Sequence, residues 1–106
     1  MATTAPLRVP VEIRRRGGAR WFRLARGVSE QGLLLVRALP EAAAGPLALA
    51  FHLPEDPEPI ALEARAVDVA TGEEAAPERR LALRFVAPDA AAVARIARYV
   101  AERVPV

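Results

Sequence analysis

The chain contains no cysteine and no lysine. Without cysteine there are no disulfides and no thiolate metal sites, and a reducing compartment is compatible. Histidine occurs once, at His52. A lone imidazole offers neither a metal-binding cluster nor a base with an evident orienting partner, so no metal site and no catalytic residue are assigned. Glu55, Asp56 and Glu58 are spaced by prolines as a solvated loop and follow no ion-loop pattern. Aromatic residues make up only 5% of the chain, which leaves few stacking platforms for single-stranded nucleic acid. No apolar run approaches the ~20 residues that span a bilayer. The start, Met1 to Pro6, has neither a charged n-region nor an apolar h-region, so a cytoplasmic protein with no membrane role is expected. Gly-rich phosphate loops of the nucleotide-hydrolase type and internal repeats are also missing.

What is present is a chain of 106 residues, 53% apolar. That is enough for one domain, residues 1–106, with its core from about Leu7 to Val104. All fifteen basic residues are arginine. A GC-rich genome accounts for this bias alongside the many Ala, Pro and Val residues. The functional reading is that the guanidinium fork suits phosphate and guanine edges. The net charge of +2 hides an asymmetry. Residues 1–53 carry eight Arg against three acids, hence +5, and residues 54–106 seven Arg against ten acids, hence −3. Seven of the arginines lie in residues 1–26, facing only Glu12. Such a field attracts anions without selecting among them.

Leu7, Val9, Val11 and Ile13 alternate with polar residues and predict a half-buried strand, with Pro10 confining it to an edge or an irregular start. Gly17-Gly18 predicts a two-residue hairpin turn. The chain returns through Ala19 to Val28, with Trp21, Phe22 and Leu24 among its apolar residues. Ser29 to Gly32 forms a turn into a strand over 33–37. Residues 39–46 predict a loop with at most one helical turn, because prolines bracket it. Further strands are expected at 47–53, from Ile60 to Ala66 with a bulge near Ala66, and at 81–85. Between the last two, Thr71 to Pro77 reads as an acidic loop. Asp89 is a good N-cap, and Val93, Ile96, Ala97, Val100 and Val104 mark one face of a final helix whose other side carries Arg95, Arg98 and Glu102. The expected class is mainly β: six short antiparallel strands forming a barrel or strongly bent sheet, with the C-terminal helix covering one side.

The order of these elements resembles the PilZ domain family. The resemblance rests on the Ser29–Gly32 turn followed by Leu33-Leu34-Leu35. Leu47-Ala48-Leu49-Ala50-Phe51, Ala64-Arg65-Ala66-Val67 and Leu81-Ala82-Leu83-Arg84-Phe85 before the helix reinforce it, so it spans nearly the whole chain. It implies a six-stranded antiparallel PilZ-like β-barrel that regulates bacterial signalling, motility, pili or surface polysaccharide. The implied ligand is cyclic di-GMP, gripped by Arg-x-x-x-Arg before the first strand and by Asp/Asn-x-Ser-x-x-Gly before the third. Here Arg8, Ser29 and Gly32 match that signature. Thr4 stands where the first arginine belongs, and Gly27 stands at the Asp/Asn position.

Arginine can hold phosphate or the guanine O6/N7 edge bidentately, and a carboxylate or amide accepts from guanine N1 and N2. Thr4 and Gly27 supply neither. A hydrogen bond to a charged group is worth roughly 1.5–3 kcal/mol, so two losses predict binding weakened by roughly 10²–10⁴-fold. Arg14, Arg15, Arg16 and Arg26 are available in sequence to compensate. The alternative for Ser29 and Gly32 is a turn that only launches a buried strand. With an incomplete site the domain is expected to work through contacts with a signalling or motility protein and to have no enzymatic activity. An arginine-rich barrel binding nucleic acid through Arg14-Arg15-Arg16-Gly17-Gly18 is the competing reading, against which a charged hairpin tip stands as the simpler account.

Overall fold

The computed structural model describes residues 4–68, 73–76 and 80–103. Seven strands and one helix follow in order: β1 (Ala5–Pro6), β2 (Pro10–Arg15), β3 (Arg20–Ser29), β4 (Gly32–Leu35), β5 (Leu47–Phe51), β6 (Ile60–Val67), β7 (Ala82–Val86) and α1 (Ala90–Arg103). Hydrogen-bonded neighbours run β3-β2-β5-β6-β7-β4, and β4 pairs back onto β3, so six antiparallel strands close into a barrel. Closure leaves the six strands without a long free edge. β1 is a short seventh strand paired with the second half of β3.

The alternating patterns place Val11 and Ile13 of β2, Leu47, Leu49 and Phe51 of β5, and Ile60, Leu62, Ala64 and Ala66 of β6 inside. Leu33 and Leu35 of β4 and Leu83 and Phe85 of β7 join them in one core. Pro10 opens β2 and so costs the ladder no interior donor. The first strand is thereby split. The stretch from Leu7 to Val9 lies outside regular strand, although Leu7 N–H donates to the Arg26 carbonyl and Ala25 N–H to the Val9 carbonyl.

Two local expectations are corrected. The β2–β3 hairpin closes on three residues, Arg16-Gly17-Gly18, with Arg15 N–H donating to the Ala19 carbonyl at 2.8 Å. Both glycines have φ above 100°, a region that side-chain-bearing residues avoid, so the pair serves a longer turn. The bulge is in β3, between Ala25 and Gly27, and not near Ala66. β6 keeps unbroken pairing with β7 through Val67. β3 must serve β2 with its first half and β4 with its second, and a bulge supplies the bend and added twist that this needs.

The single helical turn expected between Pro40 and Pro46 is present at Glu41–Ala43. It is tied down by Arg80, only 6% exposed, whose guanidinium donates to the Pro40 and Glu41 carbonyls.

Asp89 caps α1, its carboxylate accepting from Ala92 N–H at 2.7 Å. The buried face is Ala92, Ile96, Tyr99 and Val100, rotated from the expected stripe, with Val93 and Ala97 at its margin. Val104, like part of the loop at 71–77, lies outside the described residues. Tyr99 accounts for the rotation: its ring covers the barrel and its hydroxyl donates to the Pro6 carbonyl at 2.7 Å. Arg95, only partly exposed, does not simply face solvent. It pairs with Asp56 at 2.6 Å and also donates to the Glu58 carbonyl, so the acidic proline loop is strapped to the helix. Two hydrogen bonds hold the Asp56 carboxyl below the ordinary aspartate range, the larger effect from Arg95 and the smaller from Glu58 N–H. Among the described residues no acidic or histidine group forms a metal-binding cluster.

Candidate functional site

The two halves of the signature meet because the N-terminal segment runs antiparallel to the end of β3. Ala5 faces Val28 and Pro6 faces Gly27. Continuing that register sets Thr4 beside Ser29 and Arg8 beside the bulge at Arg26. Arg8 and Arg26 are both exposed and lie on adjacent segments, since Leu7 N–H donates to the Arg26 carbonyl.

Ser29 is 8% exposed, and its Oγ accepts from Gln31 N–H at 3.2 Å, closing the turn locally. Gly32 has an ordinary backbone conformation, so left-handed geometry is not its role. A Cβ on Gly32 would stand 2.0 Å from the Leu83 carbonyl oxygen. The glycine is demanded by the close approach of β4 to β7, where Gly32 faces Arg84. The turn thus has a complete structural reason to exist.

Thr4 and Gly27 also meet. A Cβ on Gly27 would lie 2.7 Å from the Thr4 Cγ2 methyl and 3.3 Å from the Ala5 carbonyl oxygen. The methyl covers the side of the glycine from which an acceptor side chain would emerge.

Beside the turn is a cavity of about 200 Å³ whose rim includes Thr4, Ser29, Gln31, Gly32, Asp68 and Arg84. Leu33, Leu34, Val67 and Leu83 form much of the rest of its lining. Gln31, Asp68 and Arg84 are charged or polar rim residues that sequence reasoning did not single out. Arg84 arrives through the β4–β7 register, a contact across more than fifty residues that leaves no local trace.

Arg14, Arg15 and Arg16 do not join this site. They stand at the β2–β3 hairpin, at the opposite end of β3 from the Ser29 turn, with the ten-residue strand between. Of the four arginines available to compensate, Arg26 alone is beside the motif. Trp21 packs partly buried against the core, which removes it as a stacking platform, while Phe22 is 59% exposed.

Solved structures similar to the chain include the following two. The inhibitor of motility MotI/DgrA of Bacillus subtilis matches with a TM-score of 0.71 at 20% identity, over 97% of this chain and 50% of that one. This chain therefore spans about half of that protein. The PilZ domain of CeSA from a cellulose-synthesizing bacterium matches with a TM-score of 0.62 at 19% identity, over 93% of this chain and 95% of that one. These likenesses establish the fold. No curated protein is significantly similar in sequence, and nothing in the comparisons favours the nucleic-acid reading. The PilZ domain family model matches residues 5–102, taking in the barrel, the Ser29–Gly32 turn and nearly all of α1. With the barrel, the turn and the lidding helix in their expected places, the chain belongs to the PilZ domain family.

Proposed function

We propose that this chain is a bacterial regulatory domain acting through contact with a partner protein in a signalling, motility or surface-polysaccharide route, and that it holds cyclic di-GMP weakly. It is read as a cytoplasmic adaptor, not a catalyst. No helix among the described residues is long and apolar enough to cross a membrane.

The observation that carries the reading is the Thr4–Gly27 contact. The position that would bring a cation holds the uncharged Thr4, the position that would bring an acceptor holds Gly27 with no side chain, and the Thr4 methyl packs over the glycine. The adjoining cavity points the same way, since about 200 Å³ is below the roughly 300–1,000 Å³ of ordinary small-molecule sites. Arg8, Ser29, Gly32 and Arg26 remain to contact the dinucleotide. Arg8 and Arg26 can grip phosphate, and the Ser29 hydroxyl can donate one hydrogen bond.

Titration calorimetry with cyclic di-GMP tests this. Weak heats that do not saturate at micromolar dinucleotide are expected. Tight saturable binding of one or two molecules, abolished in Arg8→Ala, would overturn the reading.

A further inference from the structure

One outer face of the barrel is built unlike the rest. The β2–β3 register sets Leu24 opposite Pro10, Phe22 opposite Glu12 and Arg20 opposite Arg14, all pointing outward. Val36 extends the first of these rows, its N–H donating to the Leu24 carbonyl. Ala50 and Ala48 of β5 extend the second and third through their pairing with Glu12 and Arg14. The result is an apolar row, a mixed row and a cationic row.

Phe22 at 59%, Val36 at 43% and Leu24 at 42% exposure are three of the four large apolar side chains the described residues leave open. Their grouping on one face needs a reason, where scattered apolar residues would not. The cations do too. Arg14 and Arg20 are like charges directly opposite one another, an arrangement that destabilises a sheet. The nearest counter-charge is Glu12, 3.8 Å from Arg14 and itself partly exposed. Among the described residues Arg15, Arg16 and Arg20 have no acidic partner. Arg14, Arg15 and Arg16 line a cavity of about 520 Å³ at the hairpin tip, with Glu63 on its wall. Arg8 and Arg26 flank the apolar row on its other side.

We infer that this face, centred on Phe22, Leu24, Arg14 and Arg20, docks a segment of a partner protein that joins an apolar anchor to acidic residues. Burial of the anchor on Phe22, Leu24 and Val36 supplies the attraction, and carboxylates relieve the unpaired guanidiniums. Rows on one face repeat about every 6.8 Å, so apolar and cationic rows are about 14 Å apart. An extended segment covers that in about four residues and a helix in about nine.

A second copy of this chain fits poorly. Two such faces together bring no acidic row to the arginines, and Asp56 and Glu58 of the acidic loop are held by Arg95. Nucleic acid fits less well than protein, because the open apolar side chains are mainly aliphatic and Trp21 is packed inward.

The inference rests on the proposed contact-based role, and the test separates the two. A displayed library of random peptides is selected on the folded protein. Enriched peptides should combine apolar residues with Asp or Glu at those spacings. Their binding should fall about tenfold or more in Phe22→Ser and in Arg20→Glu, as for a central interface residue, and be unchanged in Arg98→Ala on the exposed side of α1. Both test residues are solvent-exposed, so the variants are expected to fold. Acid-free or basic consensus peptides, binding indifferent to Phe22→Ser and Arg20→Glu, or no enrichment would overturn the inference. Salt-sensitive binding of a labelled oligonucleotide to this face would overturn it as well. Peptides selected onto another face remove this surface but leave the contact-based role standing. Arg8-dependent tight binding of cyclic di-GMP, measured on the same preparation, removes the role itself.

Discussion

The Tyr99 hydroxyl donates to the carbonyl oxygen of Pro6 at 2.7 Å, joining residues ninety-three positions apart. The bond ties the middle of α1 to the segment that carries Thr4 and Arg8 past the end of β3. The lid helix therefore fixes the site's N-terminal arm. Arg103, whose guanidinium lies 4.9 Å from the Tyr99 ring centre, steadies the same ring.

Removing that hydroxyl in Tyr99→Phe should cost about 1 kcal/mol, the net value of one hydrogen bond, because the exposed Pro6 can be re-solvated. Urea unfolding measures the loss. Amide exchange should speed up selectively at Ala5 and Leu7, and protection unchanged there would show that the helix does not hold the arm.

Gly32→Ala should destabilise far more than its size suggests. The new methyl would meet the Leu83 carbonyl at 2.0 Å, so β4 and β7 must part. Overpacking of this kind costs about 1–3 kcal/mol or more. Chemical denaturation gives the figure, and a neutral result would show that the two strands have room to separate.

The vacant polar arms can be restored. Gly27→Asp alone must displace the Thr4 methyl, whereas an arginine at position 4 has an unbranched Cγ that can turn aside. The double variant Thr4→Arg/Gly27→Asp should bind cyclic di-GMP about 10²-fold or more tightly than the starting protein, and each single variant should gain much less. Calorimetry on the four proteins decides it. A double variant with no gain would show that the two missing arms are not what limits binding.

The strap between α1 and the acidic loop predicts a response to acid. Asp56 has a lowered pKa in the fold because Arg95 and Glu58 N–H bind its charged form. The unfolded chain then takes up the proton more readily than the folded one. The contribution is fully present above the ordinary aspartate value of about 3.9 and is lost as pH falls through the lower folded value. Asp56→Asn should flatten the pH dependence of stability below about pH 4, read from urea midpoints. An unchanged slope would place the acid sensitivity elsewhere. The side chains are solvent-accessible, so added salt should shrink the effect.

Much of this architecture could be read along the chain, and the particular residues show why. Two-residue alternation exposes β2, β5, β6 and β7 because a half-buried strand must alternate. Asp89 announces the helix because its first-turn amides need an acceptor. The turn from Ser29 to Gly32 and the gaps at Thr4 and Gly27 were also visible in one dimension. Tyr99 was not placed, because a polar-tipped aromatic beside the apolar stripe turns inward only when an acceptor such as the Pro6 carbonyl lies beneath it. Arg80 and Arg95 look like surface charges until the carbonyls of Pro40 and Glu41 and the carboxylate of Asp56 come within reach.

The order of hydrophobic and turn residues by itself determined a small β-barrel with a helical lid, since these depend on periodicity; the partial match at Arg8, Ser29 and Gly32, with Thr4 and Gly27 at the other two positions, came from residue identity through the family resemblance. Tertiary structure alone decided that β3 bends at Arg26 to close the barrel, that Gly32 is needed for strand approach, and that Arg26 stands at the motif while Arg14, Arg15 and Arg16 stand at the hairpin at the other end of β3. It also decided that Phe22, Leu24 and Val36 share a face with Arg14 and Arg20. Each of these depends on the register between strands distant in sequence, which is set by the joint packing of the whole core.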